Sequence, residues 1–285
     1  MQNKNLHTEG TPQVMGILNI NNESFFAGSR HTAIEEVGTA FERMVSQGAD
    51  IIDIGACSTR PGSTPVSLEQ EWSYLQEPLR FIAGKYSKEL SGRKIQISID
   101  TFRSEIVRRA YDVLGEFIVN DISAGEDDPQ MLATVGELGL PYIAMHKKGT
   151  PENMQQLCQY PGGVVNEVAD YFKAFEEKAA RHGIRDYVMD PGFGFAKNLD
   201  QNYQLLKGLP ELSAQVEQHA GTRRRILVGV SRKGMIYKPL GITPEEALCG
   251  TAAVNLQALL LGADILRVHD VAEAVQCIKL YRLLK

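Results

Sequence analysis

The stretch ILVGVS, residues 226–231, is a short apolar run that closes on one polar side chain, Ser231. The same design recurs along the chain: VMGILN closes on Asn19, IID on Asp53, IQISID on Asp100, FIVN on Asn120, YIAMH on His146, YVMD on Asp190 and ILR on Arg267. Parallel strands covered on both faces read as continuous Val/Ile/Leu runs, because neither face has to meet water. Eight such runs separated by helical segments predict an α/β protein of the (β/α)8 TIM barrel class, whose active site is built where the strands end. The eight closing residues therefore mark the fold and a candidate site together.

Outward from these runs the spacing is regular. Strands are predicted near 14–18, 51–54, 95–99, 117–119, 141–145, 187–189, 226–230 and 265–268. Helical periodicity fills Ile34–Gln47, Ser104–Leu114, Val164–His182 and Glu245–Leu261. Each of these segments is followed by glycine, at 48, 115, 183 and 262, where a left-handed residue stops a helix. Eight βα units use the chain without remainder, which predicts a single domain over 13–285 behind a flexible tail at 1–12. The 285 residues, 43% hydrophobic and 23% charged, suffice for one large core.

A net charge of −5 and a pI near 5.8 argue against a nucleic-acid or membrane-surface role, which needs a basic footprint. No apolar stretch reaches transmembrane length, and the first residues lack the apolar segment of a secretion signal. Cys57, Cys158, Cys249 and Cys277 lie far apart and form no CxxC or Cys/His cluster. That pattern suggests neither a zinc site nor a disulfide framework, and it predicts a reducing cytoplasm.

Two stretches that follow strands, Asn19–Arg30 and Ala56–Ser67, are long, polar and rich in Gly, Pro and Ser, as active-site loops are. Ser231-Arg232-Lys233 follows the seventh strand, and Arg267-Val268-His269-Asp270 ends the eighth. Loops at this end of a barrel often hold phosphate, and Arg and Lys supply the donors its oxygens accept. Thr59-Arg60-Pro61-Gly62 offers a further hydroxyl and guanidinium on a turn. The Arg223–Arg225 triplet lies before its strand, at the opposite end, and reads as a solvated face.

Asp100, Asn120 and Asp190 would point into a confined mouth, where each needs a partner. A flat heterocycle with N–H donors and ring acceptors would satisfy them; the alternative is pairing among themselves or with backbone, which suits Asp53 and Asp121 best. Phe193 and Phe195, in the Asp190–Lys197 glycine-rich loop, supply flat walls for an aromatic ligand. His146, without a second His or Cys at metal spacing, reads as a hydrogen-bonded structural residue.

Together these segments resemble the dihydropteroate synthase family of pterin-binding enzymes. The residues that carry the resemblance are MGILN (15–19) with Ser24-Phe25, GADIIDIG (48–55), STRPG (58–62), SIDT (98–101), VNDIS (119–123), AMHKKGTPENMQ (144–155), MDPGFGFAKN (189–198), GVSRKG (229–234) and RVHDV (267–271). The resemblance implies condensation of 6-hydroxymethyl-7,8-dihydropterin diphosphate with p-aminobenzoate. It implies that Asp100, Asn120, Asp190 and Lys233 hold the pterin, and that Asn19, Arg60, Arg267 and His269 hold the diphosphate, with Asn19 also touching Mg²⁺. Thr59, Pro61, Phe195 and Ser231 would frame the p-aminobenzoate. The catalytic set implied is Asn19, Arg60, Asp100, Lys233 and Arg267, in a homodimer.

The chain departs from the family pattern at Asn21-Asn22-Glu23, at Ala56-Cys57 in place of Gly-Glu, and at Ala196 in place of the last glycine of its loop. Two other readings share the pterin residues: a corrinoid methyltransferase, which needs no diphosphate grip, and a non-catalytic pterin-binding paralogue.

Overall fold

A computed structural model of the chain describes residues 10–20, 30–57, 66–92, 94–150 and 153–285. Eight parallel strands close a barrel in sequence order: β1 (Gln13–Asn19), β2 (Ile51–Gly55), β3 (Gln96–Asp100), β4 (Ile118–Asp121), β5 (Tyr142–Met145), β6 (Tyr187–Asp190), β7 (Arg225–Val228) and β8 (Ile265–Val268). The TIM-barrel expectation holds strand for strand. β7 ends two residues before its predicted limit, at Val228, the last β7 residue that pairs with β8.

Around the barrel run α1 (Arg30–Gln47), α2 (Leu68–Lys85), α3 (Ser87–Ser91), α4 (Ser104–Leu114), α5 (Met131–Leu138), α6 (Val164–Arg181), α7 (Leu199–Lys207), α8 (Leu209–Ala220), α9 (Gly234–Leu240), α10 (Leu248–Leu260) and α11 (Val271–Leu284). Gly48, Gly115, Gly183 and Gly262 follow helices at φ of 94, 71, 75 and 98°, as the sequence predicts. The units are less uniform than one helix per strand. Two helices follow β6 because Pro210, in the first turn of α8, lacks the N–H that would continue α7. Two also follow β7, where left-handed Gly241 ends α9 and Pro244 precedes α10, so the helix predicted from Glu245 starts at Leu248.

The register fixes which side chains face the barrel axis. Met15, Ile51, Ile118, Ile143, Val188, Leu227 and Ile265 form a buried apolar layer of their own, separate from the larger cluster between strands and helices. Side chains alternate along a strand with period two. Two positions on from this layer, toward the strand C-termini, come Asp53, Asn120, Asp190 and Arg267, with Ser98 of β3 level with Asp53 in the pairing. The polar site thus rests on a dry floor built by the same strands.

The Arg223–Arg225 triplet is not a solvated face. Arg223 is exposed and pairs with Asp264, but Arg224 is buried against Glu176 and the carbonyl of Arg185. Half-buried Arg225 reaches Gln13 at the N-terminal end of the barrel. Strand alternation sends neighbouring arginines to opposite sides, which a run of like charges conceals.

Candidate active site

The centre of the site is a buried carboxylate that sequence spacing placed among the structural pairs. Asp53 Oδ2 accepts from Arg267 Nε at 2.7 Å and from Asn120 Nδ2 at 3.1 Å. Arg267 Nη2 also lies 2.6 Å from Asp53 Oδ2 and 2.7 Å from Asp100 Oδ2. One guanidinium from β8 is therefore aimed by two carboxylates, from β2 and β3, while its Nη1 takes no part in these bonds. Asp53 and Asp100 raise the Arg267 pKa more than burial lowers it, so the group stays cationic.

Asp100 has room because Gly55, its pairing partner, has no side chain: a Cβ there would lie 3.0 Å from Asp100 Cβ. Burial pushes the Asp100 carboxyl up to about 7; Arg267 opposes the rise and Asp53 adds to it. Asp53 Oδ1 and Ser98 Oγ, on paired residues, are buried without a hydrogen-bond partner.

Across the mouth, Asp190 is buried at the tip of β6 and its Oδ1 accepts the Gly192 N–H at 2.8 Å. Burial raises its pKa, with Lys233 and then the Gly192 N–H pulling it back. Lys233 Nζ donates to the Phe193 carbonyl at 2.6 Å and lies 4.9 Å from the centre of the Phe195 ring. Burial draws Lys233 down to about 8 against the pull of Asp190. The structure thus joins Asp190, Lys233 and Phe195 on one side of the mouth and Asp53, Asp100, Asn120 and Arg267 on the other.

Near β7 and β8, Ser231 Oγ lies 3.0 Å from His269 Nδ1 and 3.2 Å from the His269 backbone nitrogen. Arg232, expected among the phosphate donors, is spent elsewhere: it pairs twice with Asp270 at 2.9 Å and donates to the carbonyls of Pro244 and Glu245. It bolts the loop after β7 to the loop after β8. Asp121 is structural as expected, accepting from Ser123, Gly125 and Tyr142.

Asn19 is exposed at the tip of β1. Thr59, Arg60 and Pro61, with the departures at Asn21-Asn22-Glu23 and with Ser24-Phe25, lie outside the described residues. The two sides of their loop are visible. Arg103, just after β3, donates through Nη2 to the Val66 carbonyl and through Nη1 to Cys57 Sγ at 3.5 Å. Its guanidinium pairs with fully buried Glu71 of α2, which also accepts from Thr101 Oγ1 at 2.7 Å. Sequence reading missed Glu71 and Arg103; Thr101, next to Asp100, is their only local signal. Cys57, where the family pattern has Glu, is a poor nucleophile, since burial and then Glu71 push its thiol up to about 12.

A profile described as "Pterin binding enzyme" matches residues 15–269. The dihydropteroate synthase of Escherichia coli K12 is 38% identical over 270 residues, covering 94% of this chain and 90% of that protein. The chain belongs to the dihydropteroate synthase family of pterin-binding enzymes. Among solved members of that family, the Yersinia pestis enzyme in a sulfonamide drug complex superposes with a TM-score of 0.83 at 34% identity, covering 96% of this chain and 94% of its own. The Xanthomonas albilineans enzyme in complex with 7,8-dihydropteroate does so with 0.78 at 31%, covering 96% and 94%.

Proposed function

We propose that this chain is a dihydropteroate synthase: the p-aminobenzoate amine attacks the methylene carbon of 6-hydroxymethyl-7,8-dihydropterin diphosphate, and 7,8-dihydropteroate and diphosphate are released. The carrying observation is the convergence of Asp100, Asn120, Asp190, Lys233 and Arg267 on one mouth above an apolar floor. The dihydropteroate complex of the Xanthomonas albilineans relative supports the same product here.

The carboxylates of Asp100 and Asp190 accept the N–H edge of the pterin, Asn120 reads a mixed donor and acceptor position, and Lys233 donates to a ring acceptor. As the methylene C–O bond breaks, its electron pair leaves with the diphosphate. Arg267, already aimed by Asp53 and Asp100, is a preorganised cation for that developing charge. Ser231 and His269 supply further polar contacts at the β7 and β8 tips. The arylamine nitrogen forms the new bond and then loses its proton to solvent, with its ring against Phe195. In this reading the roles of framing the arylamine and holding the diphosphate are shared by Thr59 and Pro61 for the first and Arg60 for the second.

Mg²⁺ fits as an ion that arrives with the diphosphate rather than one held in a protein cage. Among the described residues no three His, Cys, Asp or Glu side chains cluster, and the exposed amide oxygen of Asn19 is a single hard ligand. Such ions are commonly held by few protein ligands plus substrate phosphates, and this one would neutralise leaving-group charge. The same reading takes 13–285 as one domain, working as a homodimer in the cytoplasm. Exposed Leu260, Leu280, Leu283 and Leu284 on α10 and α11 support self-association, and no helix among the described residues is long and apolar enough to cross a membrane.

Mass-spectrometric detection of 7,8-dihydropteroate, after mixing purified protein with both substrates and Mg²⁺, tests the proposal. Product at a catalytic rate is expected. Tight pterin binding without product would replace it with the non-catalytic reading. The pterin and diphosphate roles separate in Arg267→Ala, which should weaken the diphosphate ester far more than free hydroxymethyl dihydropterin.

A further inference from the structure

The loop between β6 and α7 holds a buried cation that the proposed reaction does not use. Lys197 Nζ lies 2.9 Å from His146 Nδ1, 3.0 Å from the Gly192 carbonyl oxygen and 3.1 Å from that of Phe195. An ammonium has three N–H donors and no acceptor, so these three partners use all of its hydrogens. With Lys197 protonated, the contact uses a lone pair on His146 Nδ1 and leaves the ring hydrogen on Nε2. Burial, with Lys197 and Lys148 nearby, holds His146 well below the ordinary imidazole value, so the ring is neutral and the lone pair present. Burial also draws Lys197 down to about 7. Asp190 and Cys158 oppose that fall, while Lys233 and Lys148 add to it.

The backbone under this clamp carries local strain at one residue, Ala196. Gly192, Gly194 and Ala196 take φ of 72, 84 and 51°, so every second residue is left-handed and one of them carries a side chain. The loop also presses on the tip of β5. The His146 N–H donates to the Asp190 carbonyl at 2.9 Å, and a Cβ on Gly192 would lie 1.9 Å from the His146 carbonyl oxygen.

Lys197 is the side-chain bond across this seam, and it takes carbonyls from both halves of the loop. The groups between them are held as well: Gly192 N–H by Asp190 Oδ1, the Phe193 carbonyl by Lys233, and Gly194 N–H by Asn202 Oδ1 at 2.7 Å. Releasing Lys197 would leave the Phe195 N–H on the Gly192 carbonyl at 3.1 Å as the tie between the two halves, while the Asp190 end keeps its bond to β5, so the Phe195 end loosens first.

We propose that Lys197 and His146 are a positioning pair for the Asp190–Lys197 loop, setting where the Phe195 ring stands against the arylamine. This rests on the synthase reading, in which the pair is assigned to neither substrate. Lys197→Met, His146→Leu and His146→Gln test it through two readouts. The first, amide hydrogen exchange at Gly194 and Phe195, needs no turnover. The second is the KM for each substrate.

Lys197→Met and His146→Leu should speed exchange at these amides by about tenfold or more, leave β1–β4 unchanged, and raise the KM for p-aminobenzoate about tenfold with a smaller change for the pterin diphosphate. His146→Gln, whose side-chain oxygen can accept from Lys197, should restore most of both. Unchanged loop exchange in Lys197→Met, equal changes in the two KM values, or a Gln variant as impaired as the Leu variant would overturn the positioning role. A wild-type protein that makes no dihydropteroate would overturn the synthase reading instead, with the exchange data still deciding the clamp.

Discussion

Ala196 carries a side chain at φ 51°, where an L-residue with a Cβ meets its following carbonyl. Its methyl is fully buried, so the position exchanges local strain against packing. Ala196→Gly should raise stability by about 1 kcal/mol, read as a higher urea midpoint; a lower midpoint would mean that the buried methyl contributes more than the strain costs. Asp53 is a second single-residue test. Its negative charge helps hold the Asp100 pKa up to about 7, after burial and against Arg267. Removing that charge in Asp53→Asn should lower the Asp100 pKa, so the acid limb of kcat/KM for the pterin diphosphate moves to lower pH. The pH-independent value should also drop by about tenfold or more as Arg267 loses its aim. An unmoved limb would show that another group controls it.

At the scale of elements, the described ends of the link between β2 and α2 are tied by a side chain from beyond β3. Arg103 reaches Cys57 before the 58–65 segment and Val66 after it, over the fully buried carboxylate of Glu71. Glu71→Ala would leave Thr101 Oγ1 and the guanidinium without that acceptor. Arg103 is 19% exposed, so partial hydration limits the loss to the low end for broken buried pairs, about 3 kcal/mol, read by urea titration. A loss below about 1 kcal/mol would show that water replaces the pair. The same elements show what the sequence could disclose. Each strand was legible because burial on both faces leaves an apolar run, and the polar residue that ends it stands out. The partnership of Asp53 with Arg267, 214 positions apart, comes from barrel register, which no local pattern encodes. Arg232 and Arg224 were misread for a related reason: a cation in sequence looks free until the fold supplies its carboxylate, here Asp270 and Glu176.

Over the whole molecule, the charges gathered at the mouth should leave a mark on stability against pH. Asp100 is raised to about 7 and Asp190 is raised, both chiefly by burial, whereas an unfolded aspartate titrates near 3.9. Between about 4 and 7 the native protein holds protons that the unfolded chain has released, so these groups lower stability as pH rises through that window. Lys197 and Lys233 are drawn down to about 7 and about 8, while an unfolded lysine keeps its proton to about 10.4. From about 8 to about 10 the unfolded chain is the one holding extra protons, and these groups raise stability as pH rises. Their sum is a minimum between pH 7 and 8 in the free protein. A site that must keep charge buried for a substrate stores this cost until the substrate arrives. Thermal unfolding from pH 5 to 10 should show the dip, Asp100→Asn should flatten its acid side, and saturating dihydropterin diphosphate should raise Tm most within it. A free-protein Tm that peaks between pH 7 and 8 would mean that the mouth is already compensated without ligand, and that the carboxylates and lysines are not poised for one.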